Sequence, residues 1–173
     1  MLDASGFVVW AHHRAARFGT AIVAMVGTNW GARQYGRARR IAWTGAITTA
    51  IVCGSIGLIV ALQPSLWIGL FSDDPEVARY GALYLHIVGP AYLFFGLGLG
   101  LFFVSQGFGR GVAAMNANAA RLVVSAAAGL AAVYWLDLGV AGFCAAVAAG
   151  FCLYATLLVV AVLRVKPPEP SGA

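Results

Sequence analysis

The chain has 173 residues, of which 61% are hydrophobic and 10% charged, with a net charge of +5 and a mean hydropathy of +0.85. A soluble domain typically carries about 25% charged residues, so too few polar side chains are present to cover a water-soluble globule. The surplus of basic residues would suit nucleic acid in a soluble protein; in a chain embedded in lipid it reports topology.

Residues 1–17 form an atypical N-terminal segment, with an isolated His12–His13 pair expected to be inert and with Arg14 and Arg17 close to the first apolar run. Phe18 to Ala32 holds 15 residues without a charge, a short or partial span expected as a helix over 18–32. The stretch Gly31 to Arg40 then gathers Arg33, Arg37, Arg39 and Arg40 into a basic loop. Ile41 to Ser72 is free of Asp, Glu, Lys and Arg over 32 residues, Tyr80 to Gly109 over 30, and Leu138 to Leu163 over 26. A helix needs roughly 20 apolar residues to cross a ~30 Å hydrocarbon core. Helices are expected over 41–63, 76–104 and 138–163, and a further one over 113–135, where Val112 to Trp135 is interrupted by Asn116, Asn118 and Arg121 near its start. Period-2 alternation is absent, and lipid admits only helices or closed barrels. The expected fold is all-α, a polytopic membrane bundle of about five helices spanning 18–165, followed by a disordered tail over 166–173.

Basic residues collect in cytoplasmic loops. With the turn around Arg37 inside, alternation places Arg33, Arg37, Arg39, Arg40, Arg110, Arg121, Arg164 and Lys166 inside, against Arg79 outside, while Arg14 and Arg17, which precede the first helix on the outer side, run counter to this count. Arg33, Arg37, Arg39 and Arg40 are therefore the topology-determining residues, with loop 33–40 and the C-terminus cytoplasmic in a multi-pass plasma-membrane protein, and nucleic acid is not an expected partner. Trp30, Trp43, Trp67 and Trp135 fall at expected helix ends, the level indole rings favour. In "LFSDDPEV", Asp74 reads as an N-cap, Pro75 as the first helical residue and Glu76 as a partner of the helix dipole, while Leu66 to Phe71 is expected to lie along the interface. Gly27–Gly31 and Gly96–Gly100 are GxxxG pairs suited to close helix contact.

Pro90 removes a backbone donor inside the 76–104 segment, so a kink and a candidate hinge are expected there. His86 is the ionisable group deepest in that segment, and with Tyr84 and Gln106 it is a candidate cavity-lining, substrate-binding residue. Tyr80, Tyr92, Asn116 and Asn118 are further polar groups that could face a cavity, although Asn116 and Asn118, two apart, cannot share one helix face. "SQGFGRG", Ser105 to Gly111, lacks the ending of a phosphate loop and reads as a flexible turn. Cys53, Cys144 and Cys152 lie in apolar spans and make no CxxC pair. No catalytic residues, metal site or organic cofactor are expected, and the chain does not read as an enzyme.

The segment "GTAIVAMVGTNWGARQYGRARRIAWTGA", Gly19 to Ala46, resembles the start of a lobe in multidrug and toxic compound extrusion (MATE) transporters. "GLFSDDPEVARYGALYLHIVGP" resembles the family's outer loop and the helix after it, and "FFGLGLGLFFVSQGFGR" the end of that helix and its inner turn. The resemblance runs from about Phe18 to Val165. It implies helices eight to twelve of a twelve-helix, two-lobe antiporter of the bacterial inner membrane, exporting drugs or organic cations in exchange for H+ or Na+. It leaves a whole lobe and the first helix of the second lobe outside this sequence, so transport is expected to need an N-terminal lobe as partner. Sodium-coupled members carry acids in the first and fourth helices of the second lobe; the first is not in this sequence and the expected 76–104 helix has no acid beyond Glu76, so no coupling-ion residue carries over. The alternatives are a five-helix membrane subunit or assembly factor without transport activity, and a self-associated channel.

Overall fold

Long uncharged runs of Ala, Val, Leu and Gly supply no side chains to satisfy the backbone in lipid, so each run closes its hydrogen bonds within itself. The computed structural model describes residues 4–167, with side chains from residue 18 onward, and contains seven helices and no strand among them. These are α1 (Ala4–Gly31), α2 (Tyr35–Leu62), α3 (Pro64–Ile68), α4 (Pro75–Val88), α5 (Tyr92–Gly107), α6 (Gly111–Tyr134) and α7 (Gly139–Leu163).

Three boundaries differ from the sequence reading. The first helix begins at Ala4 rather than at residue 18, because no proline interrupts residues 4–17 and the apolar run was a measure of span, not of helix. The basic loop 33–40 is mostly helix: only Ala32, Arg33 and Gln34 form the turn, with Arg33 at a φ of 60°, and Arg37, Arg39 and Arg40 belong to the first turns of α2. Arginine is a good helix former, and charge alone does not make a loop. The expected single helix 76–104 is two, α4 and α5, meeting at an angle of 61° across Gly89, Pro90 and Ala91. Leu66 to Phe71 is the end of α3 and a following turn. Residues 168–173 of the expected tail lie outside the described residues.

Local chemistry explains the breaks. Asp74 caps α4, its Oδ1 accepting from the Glu76 amide at 2.8 Å, with Pro75 at the first helical position. Pro90 has no amide to donate, and the chain turns through bonds from the Tyr92, Leu93 and Phe94 amides to the carbonyls of Gly89, Pro90 and Ala91. The bend is held from outside as well. A Cβ at Gly57 of α2 would overlap the Gly89 carbonyl and lie 2.6 Å from Tyr92 Cβ, so the corner fits against bare backbone.

α5 is the centre of the bundle and packs on α1, α2, α6 and α7. Its three alternate glycines serve two neighbours. Gly96 and Gly100 face α2, where added Cβ atoms would stand 2.7 Å from the Thr49 carbonyl and 2.6 Å from Ala46 Cα; Gly98, on the other side, makes room for the Tyr154 ring of α7. The other GxxxG pair is not used in this way: Gly27 faces Gly107 at an ordinary distance and Gly31 faces open space. Packing of small residues replaces the hydrophobic drive that lipid cannot supply.

The remaining apolar surface faces outward. Ile51, Ile56, Ile59 and Leu62 of α2 are 56–71% exposed, an outward apolar face that water would penalise. Among the described residues α2, α6 and α7 are each long and apolar enough to cross a membrane, and the bent α4–α5 pair makes a fourth crossing if counted as one. That is three or four rather than five, since α1 does not meet the same measure. The chain is a multi-pass membrane protein.

Candidate functional site

The middle of the bundle carries a cluster of aromatic rings. Tyr92 and Phe95 are three apart on α5, and Phe151 and Tyr154 three apart on α7, so each pair shares a helix face. Tyr92 meets Phe95 at 5.9 Å and Phe151 at 5.8 Å, both edge to face, and Phe95 meets Phe151 at 5.0 Å. Tyr154 is 3% exposed and fills the space over Gly98.

Arg121 of α6 reaches into this cluster. Its guanidinium carbon lies 5.7 Å from the Phe95 ring centre, 5.4 Å from Phe151 and 5.2 Å from Tyr154. Its Nε is buried and has no hydrogen-bond partner. Arg121 stands ten residues beyond Gly111, about 15 Å along the helix at 1.5 Å per residue. By sequence alone Arg121 counts with the basic residues at the start of this helix, on the inner side. The structure puts it three turns in, at the level of the rings. An arginine at the centre of a bilayer costs at least ~2.5–3.5 kcal/mol. Each cation–π contact returns roughly 0.5–2 kcal/mol, so three rings offset a cost of that size without neutralising the charge.

α6 presents a polar stripe on this side. Asn118, Arg121 and Ser125 are half-buried and lie on one face at i, i+3 and i+7. Asn116, on another face, is exposed. The α6–α7 approach is tight because Gly150 has no side chain: a Cβ there would overlap Ser125 Oγ and lie 3.6 Å from Arg121 Cγ.

The residues singled out from sequence do not converge. Tyr84 is half-buried beside Tyr92 and so borders the aromatic cluster. His86, two positions on, is exposed, and its Nδ1 pairs with the Ala82 carbonyl of its own helix at 2.7 Å. Gln106 is exposed at the far end of α5. Pro90 is exposed at the 61° corner. The sequence carries a signal for Arg121 and its rings that the residues above do not use: a lone ionisable residue within a 24-residue apolar segment, and aromatic pairs at i, i+3 on two other segments.

A second feature is a groove between α1, α2 and α5. Cavities of about 360 and 300 Å³ share Phe18 and Thr48. The Thr48 and Thr49 hydroxyls donate to carbonyls four residues back on α2, which leaves the lining apolar, with Arg40 at one end. The groove supplies volume and little chemistry.

At one end of the bundle, Arg39 Nη2 donates to the Val165 carbonyl at 2.7 Å and ties α2 to the end of α7. Trp30 meets Phe108 edge to face at 4.7 Å there, which joins the α1 and α5 termini. These contacts collect Arg33, Arg37, Arg39, Arg40, Arg110, Arg164 and Lys166 at a single end. Against known proteins, the MatE family model matches residues 14–130. No curated protein and no solved structure matches the chain.

Proposed function

Because the chain belongs to the MatE family, the multidrug and toxic compound extrusion transporters, we propose that it is part of a secondary antiporter that expels small organic solutes in exchange for H+ or Na+. The observation that carries this reading is the broken α4–α5 crossing, bent by 61° at Gly89–Pro90–Ala91 and packed on α2 and α7. Discontinuous helices are a recurrent device of transporters, because a corner already present can change its angle at low cost. Pro90 is the hinge in this scheme. The exposed apolar side of α2 supports a second lobe as working partner, with lipid covering the rest.

The chain operates in the bacterial inner membrane with its basic end, including residues 33–40 and the end of α7, in the cytoplasm. The clustering of seven basic side chains at one end supports this orientation. The exported compounds include drugs and organic cations; a cation must find its counter-charge on the partner lobe, since the acids Asp73, Asp74, Glu76 and Asp137 flank helix termini at the end away from the basic cluster.

Reconstitution tests the proposal. The chain is placed in liposomes alone and with a co-expressed N-terminal lobe, and ethidium efflux is followed under imposed pH and sodium gradients. Gradient-dependent efflux that requires both parts is the expected result. Ion conductance without coupling would favour a channel, and stable co-purification with an unrelated complex, without flux, would favour an accessory subunit.

A further inference from the structure

We infer that Arg121 is a binding point for the carboxylate of a small aromatic organic acid. The inference rests on the transport reading above and adds organic anions, held at this point, to the organic cations proposed there. Arginine keeps its charge in proteins and has five N–H donors, but no acceptor. The three neighbouring rings lie 5.2–5.7 Å from the guanidinium. A π face stabilises a cation but leaves its charge in place and gives its N–H edge no in-plane acceptor, and Nε is buried without a partner. The acids Asp73, Asp74, Glu76 and Asp137 stand at helix termini, whereas Arg121 is about 15 Å inside α6. No acid of the described residues neutralises it.

That depth also separates it from lipid phosphates, since half of a ~30 Å hydrocarbon core lies between the headgroups and the midplane. A planar fork of N–H groups matches a carboxylate in bidentate fashion. Asn118 and Ser125, on the same face, add neutral donors on either side. Phe95 and Phe151, which are half-buried, offer flat apolar surface to an attached ring, and the buried Tyr154 backs them. A cationic ligand is repelled by the same charge, and a neutral amide gains no ion pair.

The experiment uses the full chain in phosphatidylcholine nanodiscs, titrated with benzoate, benzamide and benzylamine by saturation-transfer NMR. Saturable benzoate binding is expected, roughly tenfold or more tighter than benzamide, with no binding of benzylamine. Arg121→Gln should lower benzoate affinity to the benzamide level, and Arg121→Lys should fall between, with thermal melting checking that each variant is folded. Equal affinity for benzoate and benzamide in the unaltered chain would overturn the inference, as would an Arg121→Gln variant that binds benzoate undiminished. Competition from added phosphatidylglycerol would also overturn it, by placing the anion at the headgroups. The readout is binding, so a failure of gradient-driven efflux leaves this result standing, and efflux without benzoate binding defeats only this inference.

Discussion

Asp74 and Arg39 show how single polar contacts fix helix ends at the two faces of the bundle. Asp74 Oδ1 takes the Glu76 amide at 2.8 Å; Asp74→Ala should cost about 1 kcal/mol and Asp74→Asn almost nothing, a contrast that reversible unfolding in mixed micelles measures. Arg39 reaches across 126 positions to the Val165 carbonyl. Arg39→Gln should loosen the end of α7 by about 1 kcal/mol, below the usual range for a charge-assisted bond because this end is open to water. Faster amide exchange around Arg164, with the centre of α7 unchanged, is the expected reading. The Asp74 cap was legible in the sequence because capping is written in four consecutive residues. The Arg39 bond was not, since nothing local couples residue 39 to residue 165.

Among the elements, α5 rests most on absent side chains. Gly96→Ala and Gly100→Ala would drive a methyl to within 2.7 Å of the Thr49 carbonyl and 2.6 Å of Ala46 Cα. Each should destabilise the bundle by about 1–3 kcal/mol, the usual scale of overpacking. Gly36→Ala, on α2 with nothing within 4 Å, should instead be neutral or stabilise by up to about 1 kcal/mol. Parallel thermal melts of the three variants in detergent check the contrast. The sequence showed where apolar segments lie and that Pro90 interrupts one of them. It could not show that Gly96 and Gly100 pack closely while Gly27 and Gly31 do not, because a glycine pair reads alike whether or not a neighbour is opposite. The start of α6 was legible to within two residues, at 113 against Gly111, but charge alone groups Arg121 with the inner basic residues, and only the facing rings of α5 and α7 give a reason for an arginine ten residues into the helix.

At the scale of the whole molecule, the separation of charge between the two ends predicts one orientation. In a chain with Cys53, Cys144 and Cys152 replaced by serine, a cysteine at Leu136 should react with an impermeant maleimide in intact cells, and one at Gln34 only after lysis. The reverse pattern would invert the topology. The all-α bundle and its family were legible at this scale, since charge-free length and ordered segments survive without knowledge of packing. The convergence of α5, α6 and α7 on one guanidinium was not, because it depends on three rotations that no single segment encodes.

The alternate glycines of α5 also set a timetable for biosynthesis. The side bearing Gly96 and Gly100 finds α2 already made, whereas the notch at Gly98 waits for Tyr154, 56 positions later in the chain. At ~5–20 residues per second of translation, α5 stands half-docked for several seconds with an open cleft toward the lipid. During that interval a nascent chain is most exposed to quality-control proteases, so codon choice between Gly98 and Tyr154 should affect yield more than the same changes elsewhere.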